Sequence, residues 1–222
     1  MVAIDSAQDM PATRAAETSH TGQIVLLGFL AASLLVAASL VLNTANGSDS
    51  GWHVAAEMVS RFSLLLFAAA MSVEPLARLI PLQVMQAAGR ERGSLTLAFA
   101  AAAAVALFCV AAPSQLNGES MSAPAIAYCF MTAIILVVML FSAHPTTIRL
   151  LGAPAWRALH RIATAYFWIA FTITGLEHLI GPHRPDVWYG FSLLLLVGTL
   201  LLRFTDSFVA HWRYRDMAEK VA

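Results

Sequence analysis

Six apolar runs make up most of this chain, at 23–42, 54–73, 94–112, 123–141, 156–180 and 187–202. Each reaches or approaches the ~20 residues that carry an α-helix across a ~30 Å hydrocarbon layer. A helix is the only open-ended structure that satisfies its own backbone in lipid. The connectors are short and rich in Gly, Pro, Asn and Ser, which leaves no room for a soluble domain between the runs. The sequence therefore predicts an all-α integral membrane protein, a six-transmembrane-helix bundle over 22–206. A flexible polar tail precedes it at 1–21, and a basic tail follows at 207–222. Any nucleotide or flavin domain has to belong to another chain.

Bulk composition agrees with this reading. Of 222 residues, 59% are hydrophobic and 12% charged, where a soluble domain carries roughly a quarter charged residues. Mean hydropathy is +0.72 and the pI about 7.1. With a formal net charge of zero, nothing points to nucleic acid or to an acidic partner. Cys109 and Cys129 both fall inside apolar runs, which suits small buried side chains rather than a disulfide framework or a CxxC metal site. The first 21 residues mix Asp5, Asp9, Arg14 and Glu17 without an apolar run. They read as a cytoplasmic tail with a solvated His20, and not as a signal peptide, which needs a basic start followed directly by its apolar region.

Basic residues set the orientation. Arg78, Arg90 and Arg92 lie between the second and third runs, and Arg149, Arg157 and Arg161 surround the start of the fifth. Arg213, Arg215 and Lys220 follow the sixth. The connectors 43–53 and 114–122 hold no Lys or Arg, and the last one holds only Arg184. Since Lys and Arg stay in the cytoplasm, both termini are predicted to be cytoplasmic. His144, His160 and His211 then fall on the inner side, and His53, His178 and His183 on the outer side.

The fifth run carries the best functional clue, WRALHRIATAYFWIAFTITGLEH from Trp156 to His178. His160 and His178 are 18 positions apart, about five turns and ~27 Å of helix, so they share a face near opposite membrane surfaces. Thr164, Phe167, Phe171 and Thr174 stand between them on that face, which is expected to look into the bundle. Imidazole at membrane depth usually lines a cavity or a pathway, and it is a natural haem ligand. His160 is read as a haem ligand, as a structural interfacial histidine, or as part of a quinone site.

A second constellation is predicted at the outer rim. His53, Glu57 and Arg61 recur every four residues and stack on one helix face, while His178 stands beside Glu177 and near His183. If the second and fifth helices are neighbours, His178 and another histidine such as His53 can ligate haem iron, with Arg61 pairing a propionate. The same groups also suit a divalent metal, a quinone head group, or an ordinary polar rim. Glu74 with Arg78 reads as an end-of-helix ion pair, and Arg203 with Asp206 closes the sixth helix in the same way. Trp52, Trp188, Tyr189 and Trp212 read as interfacial aromatics, and Trp168 as core packing or a wall for a cofactor. The alanines from Ala100 to Ala104 offer a small-residue surface for close helix contact or a planar ligand.

The entry to the fifth helix, LLGAPAWRALHR from Leu150 to Arg161, resembles the ferric reductase-like transmembrane domain family, in particular the haem-binding membrane subunits of bacterial methionine sulfoxide reductase systems. The match rests on Leu151, Gly152, Trp156, Leu159, His160 and Arg161. It is joined by the second run with its exit, RFSLLLFAAAMSVEPLARL, ending in Pro75 and Leu76, and by Arg92 and Gly93 before the third run. This resemblance covers about 50–205 and implies a multi-pass protein of the bacterial inner membrane holding haem b, with His160 and Arg161 at the site. The family's third-helix ligand falls near Ala103, and its second fifth-helix histidine at Ile173 or Thr174. The expected function is a b-type cytochrome-like subunit passing electrons from quinol or a flavoprotein to a partner redox protein. The alternatives are a haem-less structural or assembly subunit of a membrane complex, and a quinone-binding protein. No catalytic triad, phosphate loop or acid and base pair is present in the sequence.

Overall fold

In the computed structural model the described residues are 28–29, 32–36, 38, 49–80, 82, 85–86, 89, 92–116, 120–142, 145–181 and 187–221. Among them five helices have defined ends, α1 (Asp49–Leu79), α2 (Arg92–Leu116), α3 (Ala123–Ser142), α4 (Pro145–Ile180) and α5 (Val187–Val221). They carry the second to sixth predicted runs in order, and no strand occurs among the described residues. The described part of the first run is helical as well. There Phe29 packs on Phe62 of α1 with ring centroids 5.7 Å apart, and the buried Ser33 donates to the Phe29 carbonyl at 2.8 Å. Residues 1–21 with His20, and also His144 and His183, lie outside the described residues.

By length and composition four of these helices can cross a membrane, at Gly51–Leu79, Arg92–Ser114, Ala123–Leu140 and Val187–Val209. The protein is thus an all-helical, multi-pass membrane protein with lipid against its outer faces. Burial separates these helices into a centre and a periphery. Just over half of the α1 window is buried inside the protein, against 17% for those of α3 and α5. The most apolar helix, α3, turns Ile126, Phe130, Ile134 and Val137 outward, as a lipid-facing helix does.

α4 falls outside that set because it holds the polar residues that give the bundle its internal bonds. Tyr166 Oη and Thr132 Oγ1 of α3 are 2.6 Å apart. Trp168 Nε1 donates to the Leu196 carbonyl of α5 at 3.3 Å, so this tryptophan joins two helices. On the face predicted to look inward, Phe167 is buried and Phe171 half-buried, but Thr174 is exposed. The face turns there because α4 leans on α5 through the buried Gly175, where a Cβ would come within 3.0 Å of Leu193.

The chain breaks where its backbone requires it. Gly152 adopts φ 74° and ψ 154° inside α4, a region open only to glycine. Pro154 follows in the first turn of the renewed helix, where its missing N–H leaves no bond unmade. Gly152→Ala is expected to cost about 1–3 kcal/mol, read as a lower midpoint in denaturant titration of the purified protein; an unmoved midpoint would mean that the break is not enforced.

Packing runs in chain order. Each of the five helices lies against its neighbour in sequence, and α5 closes back on α1. The α1–α2 pairing is the most extensive. Ala98, Ala100, Ala102, Ala103 and Ala106 of α2 are buried, as are Ala55 and Ala56 of α1, so the two backbones approach closely, as small residues permit. In the middle Phe67, Phe99, Phe167 and Phe171 form one cluster. Phe99 and Phe167 meet edge-on at 4.8 Å, and Phe67 and Phe99 lie 5.1 Å apart.

Candidate functional site

Two polar clusters sit at opposite ends of this bundle, and α5 takes part in both. The one at the end predicted to face outward starts on α1, where Glu57 and Arg61 are one helical turn apart and form an ion pair. The Arg61 guanidinium lies 5.5 Å from the ring centroid of Trp188 and 5.6 Å from that of Tyr189, held by the negative faces of the rings. Tyr189 donates its hydroxyl to Glu57 at 3.4 Å. On its other neighbour, α4, the His178 ring stacks on Tyr189 with centroids 4.2 Å apart and planes 18° off parallel. His178 Nδ1 is 2.9 Å from the Thr174 carbonyl. Because a carbonyl only accepts, Nδ1 carries the proton, and in the neutral ring Nε2 carries the lone pair. A base, a phenol, a carboxylate and a guanidinium thus converge on aromatic walls at the membrane rim.

The cluster at the end predicted to face the cytoplasm links α1, α2 and α5. Glu74 accepts from Arg78 on its own helix and from Arg92 at the start of α2. Arg78 also reaches Asp206 of α5 at 3.1 Å. The Glu74–Arg78 pair is the one that their spacing predicts. Asp206, expected to close its own helix with Arg203, is bridged to Arg78 of α1, since the two helices are neighbours.

These positions sort the predicted site residues. Arg61 and His178 come together through Tyr189 of α5, whose ring lies beside both. His53 is exposed on α1, and Glu177 is exposed on α4. His160 is half-buried at the far end of α4, edge-on to Trp156 at 4.5 Å. Arg161 is exposed, its Nε 3.4 Å from the Arg157 carbonyl. Some 27 Å of helix separates His160 from His178, so they cannot bind the same iron.

Of the haem ligands that the family resemblance implies, only His160 is present. Ala103, at the third-helix position, is a buried methyl in the α1–α2 core, and Ile173 and Thr174 are exposed. Phe99 and Phe167 fill the space between α2 and α4. Those positions do not fit the family's haem arrangement. Among the described residues no three His, Cys, Asp or Glu side chains gather as a metal site.

Sequence reasoning placed Tyr189 and Trp188 only at the interface. Their part in the outer cluster depends on α5 standing between α1 and α4, which no local pattern encodes. The available signal was the aromatic pair at the outer start of the sixth run, level with Arg61 and His178. No family model, curated protein or solved structure matches the chain.

Proposed function

We propose that this chain is the membrane subunit of an electron-transfer complex, related to the ferric reductase-like proteins, and that its outer cluster takes a quinol head group. In this reading six helices span a bacterial inner membrane with both termini in the cytoplasm. The observation that carries it is the meeting of His178, Tyr189, Arg61 and Glu57 at the rim where a lipid-soluble quinol presents its ring. Trp188 and Tyr189 supply flat surfaces for that ring, and Arg61 and Tyr189 supply donors for its oxygens. As quinol becomes quinone, His178 Nε2 accepts one of its two protons and the other passes to water at the rim. The two electrons leave to a redox centre of a partner subunit.

Haem b at a rim is the second reading. It is favoured by the same tautomer of His178, whose Nε2 lone pair suits iron as well as a proton, and by the half-burial of His160. A haem so bound supplies one-electron carriage within the membrane.

Two measurements test these readings. Titration with a short-chain quinone is expected to quench tryptophan fluorescence saturably. Trp188→Phe should abolish most of that quench, and His178→Ala should weaken affinity about tenfold, the value of a lost hydrogen bond and stack. Quenching that never saturates, or that survives in Trp188→Phe, overturns the quinol site. A dithionite-reduced minus oxidised spectrum with a pyridine haemochrome assay decides the haem reading. A b-type signal lost in His160→Ala assigns the haem to the inner end. A colourless protein with no quinone affinity points to a structural or assembly subunit.

A further inference from the structure

A quinol gives up two protons with its two electrons, and His178 can take only one of them. Its Nδ1 proton is held by the Thr174 carbonyl at 2.9 Å, which leaves Nε2 as the ring's one lone pair. Arg61 stays protonated, and the Trp188 indole only donates. The other base of the cluster is Glu57. Tyr189 donates its hydroxyl to Glu57 Oε1 at 3.4 Å, while its ring lies on that of His178 with centroids 4.2 Å apart. One side chain of α5 thus touches two bases carried by two other helices. Among the described residues Glu57 is the one carboxylate that the Tyr189 hydroxyl reaches. The Glu57 side chain is 42% exposed, so a proton placed there can leave to water at the rim.

On the basis of the quinol reading of this same site, we infer that Glu57 accepts the second proton and that the Tyr189 hydroxyl relays it. As the quinol is oxidised, one hydroxyl proton moves to His178 Nε2. The other moves to Tyr189 Oη while the tyrosine's own proton passes to Glu57, so Tyr189 ends as it began. The two electrons go to the redox centre of the partner subunit. A neutral quinol, a neutral imidazole and a carboxylate become a quinone, an imidazolium and a carboxylic acid, and the charge balances with the two electrons gone. Arg61 holds the carboxylate in reach of Tyr189 through their ion pair. Glu57 acts through Tyr189 and is a positioning and relay residue; Tyr189 and His178 are the groups that meet the quinol.

The test follows reduction of ferricyanide by a short-chain quinol on the full chain in nanodiscs, with the rate in empty nanodiscs subtracted. Two ferricyanide ions take the two electrons of each quinol, and quinone-dependent quenching of tryptophan fluorescence reads binding alongside. Glu57→Gln keeps an oxygen that accepts from Arg61 and Tyr189 but cannot take a proton. It is expected to lower kcat about a hundredfold, the low end of what a positioned base contributes, and to leave KM and the quench within about twofold of the wild type. Glu57→Asp retains a carboxylate and should recover about tenfold of the loss. Tyr189→Phe keeps the ring on His178 and should lower kcat as Glu57→Gln does, while raising KM because a donor to the head group is gone. A merely structural role for Glu57 would move KM and the quench together with kcat. An unchanged kcat in Glu57→Gln beside a saturable quench overturns the relay and leaves the quinol site standing. So does a wild type that binds quinone and adds nothing to the ferricyanide rate. Quenching that never saturates overturns both.

Discussion

Phe99→Ala is expected to lower the stability of the folded bundle by about 3 kcal/mol, the low end of the range for emptying a phenylalanine from a core. Phe99 is 1% exposed and touches Phe67, Phe167 and Phe171, so its ring joins α1, α2 and α4 at one point. In lipid the transfer contribution shrinks, because hydrocarbon chains are as apolar as the protein interior. What remains is lost dispersion and the cavity. Leu136, Met139 and Leu196 belong to the same buried cluster. Denaturant titration in bicelles, followed by circular dichroism, measures the change. Phe99→Leu should recover roughly half of it. If Phe99→Ala leaves stability unchanged, the four rings are not a closed core, and the space between α2 and α4 becomes available to a planar ligand.

Arg61→Ala is expected to cost about 2–3 kcal/mol, somewhat below the figure for breaking a fully buried pair, since the Arg61 side chain is 22% exposed and that of Glu57 42%. Two losses combine. The guanidinium leaves the faces of Trp188 and Tyr189, and the Glu57 carboxylate stays at the rim of the bilayer without its partner. Adding Glu57→Gln to Arg61→Ala should restore much of the stability by removing the stranded charge, giving a favourable coupling in a double-mutant cycle. Quinone affinity should not return with it, because the donor to the head group is still missing. Recovery of both together would mean that Arg61 acts only as a counter-ion. If the double variant recovers neither, the ring stacking is the larger contribution.

The extent to which the sequence foretold this structure varies with the kind of interaction. Helices α1, α2, α3 and α5 follow from apolar runs of spanning length. The break at Gly152, ahead of the fifth run, was not foreseen, although Gly152 and Pro154 are the residues that permit it. Spacing along one helix also carried the Glu57–Arg61 and Glu74–Arg78 pairs, for residues four apart share a face. What spacing could not supply was which helices are neighbours. The Arg78–Asp206 bridge spans 128 residues and the Tyr189–Glu57 bond 132, distances over which periodicity is silent. Thr174 was misplaced for a related reason. The face of a helix that points inward depends on the local partner, and Gly175 draws α4 toward α5 at that level.

The closing contact of α5 on α1 has a consequence for how the protein is made. Ribosomal synthesis delivers α1 to the membrane well before α5, and until α5 arrives Glu57, Arg61, Glu74 and Arg78 lack their distant partners. Before α5 arrives, Glu57–Arg61, Glu74–Arg78 and Glu74–Arg92 can already pair within α1 and α2. What α5 adds is the Asp206 bridge to Arg78 and the Tyr189 hydroxyl on Glu57, one long-range bond at each end of the bundle.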